Sequence, residues 1–322
     1  MKIFLLDGGL GNQVFQYIFY RFVQKFCTEP VYFDDRYFFY VDSMKGFDVQ
    51  THYQLTEVFG VTPNLLSEYF AADVWKEILD ISQDKVHFLD LLRQNGLSLD
   101  VVSEKDWVAI YSSLFASMRR FYNMNKEYPR SYSIEYTGPY NSVDANEYHP
   151  SIAKWVGNIY YHGYWINGNY FKENRDILLD ELIFPEITDK RNSDLAEQLQ
   201  HNQSVAIHVR RGDLAALNWA TNTDWYVHCI NDVKTRIPSP KFFVFSDDPK
   251  WCRENKKSLA FTKKDDVVFV EGNSGKNAFR DMQLMSMCRN MIIANSSFSY
   301  LAALLNKNPD KLVVQPATRL VV

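Results

Sequence analysis

Four short segments of this chain carry residues that could do chemistry, and each follows an apolar run. The sharpest is His208-Val209-Arg210-Arg211-Gly212-Asp213, which places two adjacent guanidinium groups on one turn. A guanidinium offers several donors in a planar fork that suits phosphate oxygens. Two of them side by side predict an anion between them, or a pairing of one with Asp213; a plain surface salt bridge is the competing reading. Ala294-Asn295-Ser296-Ser297-Phe298-Ser299 ends an apolar run and opens a helical one. Free backbone N–H groups and a capping serine there could hold a phosphate. Gly8-Gly9-Leu10-Gly11-Asn12-Gln13 has the same placement with glycines in place of hydroxyls, so a phosphate is the expected guest of this loop as well. Ser246-Asp247-Asp248 supplies acids that could accept from a ribose hydroxyl or a base N–H, or cap the following helix.

Two familiar nucleotide motifs fail on inspection. A dinucleotide fingerprint, with Asp34-Asp35 as the ribose-binding acid, breaks at Val14, where a third small residue belongs. Glu271 to Asn277 imitates a Walker A loop but has Val270 for its first glycine and Asn277 for its magnesium-binding hydroxyl. No Asp-x-Asp pair is present to hold a divalent metal. Neutralising a leaving diphosphate would then fall to Arg210, Arg211 and helix N-termini.

The elements that must position these residues read as two α/β halves. Lys2 to Asp7 and Val31 to Phe33 predict strands around a helix whose apolar face runs from Val14 to Phe26. Leu65 to Leu79 and Val86 to Leu99 have helical spacing, Arg130 to Pro150 reads as irregular, Asn158 to Trp165 as a strand, and Tyr170 to Leu182 as a helix. A second rhythm places strands at Ser204 to Val209, Lys241 to Phe245, Val267 to Val270 and Met291 to Ala294, with helical stretches between them. Alternating strands and helices argue for parallel sheets, with ligands at the carboxyl ends of the strands. The domains are expected at 1–187 and 188–322.

Composition excludes several classes. The 322 residues are enough for two domains with ordinary cores. Lys plus Arg number 35 and Asp plus Glu 39, a net charge of −4 that offers no broad positive field, so nucleic acid is not an expected partner. The four cysteines form no metal or disulfide pattern, which fits a reducing compartment. No run of 18 apolar residues occurs, so no transmembrane segment is expected. Aromatic residues make up 16% of the chain and serve equally as core and as platforms for sugars; Tyr160-Tyr161-His162-Gly163-Tyr164-Trp165 is the candidate platform.

Taken together, GGLGNQVFQY at 8–17, GYWINGNYF at 163–171, HVRRGD at 208–213, FFVFSDDPKWCREN at 242–255 and DMQLMSMCRNMIIANSSFSYLAALL at 281–305 resemble the α-1,2-fucosyltransferases of glycosyltransferase family 11. The segment from about 50 to 150 carries none of the family's motifs. The resemblance implies a GT-B fold, two Rossmann-like α/β domains facing a cleft, with an N-terminal acceptor side and a C-terminal donor side. It implies GDP-β-L-fucose as donor, inversion at the fucosyl carbon, no metal, and a galactose-terminated oligosaccharide or lipid-linked glycan as acceptor. His208, Arg210, Arg211 and Asp213 match the donor-binding and catalytic element. Gly9, Gly11 and Asn12 match the N-terminal loop, and Asp247, Asp281, Ser296 and Ser297 match positions around the nucleoside and phosphates. With no anchor expected, the enzyme would be cytoplasmic, free or peripheral at the inner membrane. The alternative is a non-catalytic nucleotide- or glycan-binding protein on the same fold, against which the intact arginine pair weighs.

Overall fold

A computed structural model describes residues 1–41, 52–82, 88–104, 140–144, 147–211 and 220–316. The chain forms two compact units, Met1–Glu181 and Leu182–Val322, so the division falls at Glu181 rather than at 187. Each contains a five-stranded sheet whose described strand pairs are all parallel.

In the first unit, strand β1 (Lys2–Leu5) leads through helix α1 (Leu10–Gln24) to β2 (Val31–Asp34). The strands β3 (Asp100–Glu104), β4 (Tyr140–Val143) and β5 (Ile159–His162) complete the sheet in the order β2-β1-β5-β3-β4. Strands β3 and β4 are absent from the sequence-based reading. Asp-Val-Val-Ser-Glu and Tyr-Asn-Ser-Val have too few apolar residues to announce a buried strand. Their neighbours in the sheet decide them. The helix expected over 170–182 is two helices, Gly168–Glu173 and Arg175–Glu181, broken at Asn174, whose side chain donates to the Tyr170 carbonyl.

In the second unit, α2 (Lys190–His201) precedes β6 (Ser204–Val209), and α3 (Thr223–Arg236) joins it to β7 (Lys241–Ser246). Helix α4 (Pro249–Glu254) and strand β8 (Asp266–Phe269) follow, then α5 (Phe279–Met287), β9 (Asn290–Ile292), α6 (Ser297–Leu305) and β10 (Val313–Val314). The order is β10-β9-β6-β7-β8. The chain moves outward from β6 through β7 to β8, then crosses to β9 on the other side. That reversal between β6 and β9 is a topological switch point, where open α/β sheets bind ligands. The first unit has the same feature between β1 and β5. Every residue of β6 is buried, as expected for a parallel strand covered on both faces.

The turn after β5 is tightly specified. Glu104, at the end of β3, accepts from the backbone N–H groups of Tyr164 (2.8 Å) and Trp165 (3.1 Å). Trp165 sits in the left-handed region at φ 55°, which a bulky residue adopts only when its surroundings impose it. A Cβ on Gly163 would come within 2.5 Å of Glu104 Oε2. The Gly163→Ala variant is therefore expected to lose about 1–3 kcal/mol, measurable by urea denaturation; stability equal to that of the parent would refute this account of the turn.

Candidate functional site

Strand β6 delivers the arginine turn to the carboxyl edge of the second sheet. Arg210 pairs through Nη1 with Asp247 Oδ2 at 2.8 Å. The Arg211 backbone N–H donates to Asp247 Oδ1 at 2.9 Å. Asp247 thus ties the turn after β6 to the end of β7, a connection reinforced by Ser246 Oγ donating to the Val209 carbonyl at 2.6 Å. The neighbouring Asp248 caps α4 by accepting from the Trp251 N–H at 3.0 Å. The guanidinium carbon of Arg211 lies 3.7 Å from the centre of the Trp251 ring.

On the other side of the switch point, β9 ends at the serine turn. Ser296 caps α6, its hydroxyl accepting from the Phe298 N–H, and Ser297 is the first residue of that helix. His208 and Phe298 bring the two sides together, with ring centres 5.8 Å apart. His208 is buried, and desolvation, helped by the charge of Arg210, pushes its pKa down to about 3. Its imidazole is neutral at physiological pH. Its Nδ1 has no hydrogen-bond partner among the described residues. The Tyr226 hydroxyl, donating to the His208 carbonyl at 3.0 Å, fixes the strand end from below. The edge therefore gathers His208, Arg210, Arg211, Asp247, Ser296 and Ser297. Asp213 lies outside the described residues.

Asp281 belongs to a different cluster. It opens α5 and accepts from Asn273 Nδ2 at 2.7 Å. Asn273 also exchanges hydrogen bonds with Asn192, and its Oδ1 accepts from Arg191 at 2.7 Å. These residues border a polar depression of about 540 Å³ lined by Thr188, Arg191, Asn192, Asn273, Asn277 and Arg280, among others. Asp281 is half-buried at the surface but closely ringed by protein atoms. That burial raises its pKa to about 7, against the opposing pull of Asn273 and Arg191.

In the first unit, Gly9 caps α1 without a side chain, and Gly8 turns at φ 72°. Gly11 is buried in the first turn, and the Asn12 side chain hydrogen-bonds Tyr164 across the β1–β5 switch point. The surroundings are acidic. Asp7 is buried at the end of β1 and takes a hydrogen bond from Gln16. Asp35 is buried and raised to about 6, and Glu104 is buried nearby, while Arg36 is committed to Asp34 through two hydrogen bonds. A phosphate on this glycine loop, as expected from its placement, would share the carboxyl edge of the sheet with those carboxylates. The aromatic platform expected over 160–165 also changes role: Tyr160, Tyr161 and Trp165 are core residues, and Tyr164 alone among those four rings is half-buried.

The family model for glycosyl transferase family 11 matches residues 144–318, more than half of the chain and the whole of the second sheet. The chain belongs to glycosyltransferase family 11. Among curated relatives, an alpha-1,2-colitosyltransferase of Escherichia coli is 36% identical over 160 residues, 48% of this chain and 53% of that protein. The O-antigen biosynthesis glycosyltransferase WbnK of the same species is 32% identical over 123 residues, 36% of this chain and 39% of the relative. Galactoside alpha-(1,2)-fucosyltransferase 1 of Alouatta belzebul is 30% identical over 107 residues, 31% of this chain and 28% of that one. The family 11 chain thus spans about half or less of the length of these relatives. Among solved structures, the NodZ alpha-1,6-fucosyltransferase soaked with GDP-fucose aligns with 94% of this chain and 92% of its own at a TM-score of 0.48 and 12% identity.

Asp7, Glu104 and Trp251 stand beside the candidate site residues of this family 11 protein, and sequence motifs alone do not single them out. Glu104 ends an unannounced strand, and Asp7 was read only as the end of β1. Trp251 stands within FFVFSDDPKWCREN, where sequence alone shows no contact for its ring. The cluster around Asp281 yields a pH prediction. Its folded pKa of about 7 lies above the ordinary carboxylate value, so the folded state holds the extra proton and stability falls as pH rises from about 4 to 7. The Asp281→Asn variant removes that charge. Its melting temperature relative to the parent is expected to climb across this window and level off above pH 7; a constant difference would show that Asp281 is not the titrating group.

Proposed function

We propose that this family 11 protein is an inverting fucosyltransferase that moves L-fucose from GDP-β-L-fucose to the 2-hydroxyl of a terminal galactoside in an oligosaccharide or lipid-linked glycan, without a metal. One observation carries the reading: two arginines and the N-terminus of α6 follow the adjacent strands β6 and β9 at the carboxyl edge of a single parallel sheet. That combination suits a diphosphate.

In this mechanism the acceptor oxygen forms its bond to the anomeric carbon from the face opposite GDP as the bond to the diphosphate oxygen breaks and the hydroxyl proton passes to solvent. Negative charge grows on the departing diphosphate. Arg210, Arg211 and the N-terminal end of α6, with the hydroxyls of Ser296 and Ser297, stabilise that charge more in the transition state than in the ground state. His208, held neutral with a pKa of about 3, acts as a hydrogen-bonding group rather than a proton acceptor. Asp247 holds the arginine turn, and Asp281 with Asn273 is assigned to the nucleoside. Gly9, Gly11 and Asn12 belong to the acceptor side, where buried carboxylates suit sugar hydroxyls better than phosphate.

The 36% identity to an E. coli alpha-1,2-colitosyltransferase favours one second reading, a colitosyl donor on the same site. Both are tested by incubating the protein with GDP-fucose or GDP-colitose, a panel of galactosides and EDTA, with products scored by mass and linkage. Transfer to the 2-hydroxyl in EDTA is expected. Arg210→Ala should lower turnover by about a hundredfold or more. Bound GDP with no transfer to any acceptor would replace the enzyme with a binding protein, and near-normal turnover of the arginine variant would remove the charge-stabilising role.

A further inference from the structure

The two arginines of the turn are restrained in different ways, and the difference has a consequence for charge. Arg210 is paired with a carboxylate, Asp247 Oδ2, at 2.8 Å. Arg211 instead has its guanidinium laid on the indole of Trp251, 3.7 Å from the ring centre. A carboxylate partner offsets the cation and competes with any incoming anion. An aromatic face holds a cation by its quadrupole and leaves both the positive charge and the in-plane donors in place. Arg211 Nε is buried and has no hydrogen-bond partner among the described residues. A buried donor without an acceptor is costly unless something else completes it.

Trp251 is itself firmly held. Its N–H is the one that Asp248 caps, Pro249 begins its helix, and its ring packs on the apolar core of the second unit beneath β6 and β7. The indole is therefore fixed before any ligand arrives.

We propose that Trp251 is a positioning residue: it fixes the plane of Arg211 so that the guanidinium edge, Nε included, meets an oxyanion of a diphosphate at full charge. The assignment rests on the reading of this edge as a donor site, and it goes beyond that reading by dividing the arginine pair into one member tied to Asp247 and one held by an aromatic face.

The test compares Trp251→Leu, which keeps apolar bulk but has no π face, with Trp251→Phe, which restores one, each in the parent and in the Arg211→Ala background. Binding of GDP and of inorganic pyrophosphate is followed by calorimetry, transfer kinetics by product mass, and folding by thermal melting. In the parent background Trp251→Leu is expected to weaken pyrophosphate binding and kcat/KM by about tenfold, with Trp251→Phe recovering most of the loss at a similar melting temperature. In the Arg211→Ala background the leucine change should have no further effect on binding. An equal loss in both backgrounds, or no loss in a Trp251→Leu protein of parental stability, overturns the proposal. Pyrophosphate binding without GDP binding would sink the nucleotide reading and leave this one standing; binding of neither overturns both.

Discussion

The carboxylate of Asp247 is the tie on which the second unit's edge depends. One oxygen accepts from the Arg211 backbone and the other pairs with Arg210, so the end of β7 holds the turn that leaves β6. Two neighbouring guanidinium groups repel each other, and the carboxylate between the strand ends lets both stay at the edge of one sheet. The requirement comes from the sheet itself. A parallel strand covered on both faces has no exposed side on which to place charge, so polar chemistry is confined to its ends. His208 shows the limit of that rule: one residue inside the strand, it is buried and neutral, while Arg210 two residues later reaches the edge.

The carboxyl edges of the two units differ in sign. The first carries Asp7, Asp35 and Glu104 just after β1, just after β2 and at the end of β3, with Arg36 hydrogen-bonded to Asp34. The second carries Arg210 and Arg211 after β6 and the N-terminus of α6 after the neighbouring β9. A net charge of −4 hides this separation. Two switch points on similar sheets thus differ in the charges they carry.

Many of the described aromatic residues are core. Phe4, Phe19, Tyr161, Trp165 and Tyr170 interlock beneath α1, with Phe4 and Tyr161 stacked at 4.6 Å and Phe19 and Trp165 at 4.2 Å. Such pairs add to area burial and stiffen the layer that carries Asp7, Asn12 and the turn after β5. Trp251 packs its ring against the Arg211 guanidinium at the carboxyl edge of the second sheet.

The sequence by itself determined the alternating elements of the second unit, the carboxyl-end placement of HVRRGD, SDD and ANSS, and the family resemblance, because these are local signals: short apolar runs, punctuating turns and adjacent residue types. Strand β6 runs over Ser204–Val209 as its pattern requires. Local pattern could not reveal β3 and β4, whose few apolar residues become strands only beside β5. Nor could it show that β5 lies beside β1, that Glu104 closes the turn at Gly163, or that Asp281 stands with Asn273 and Asn192 rather than with the arginines. Those facts depend on pairings between residues distant in the chain. Tertiary structure alone decided them, since strand order and burial set which charges meet, which rings are core, and which pKa values move.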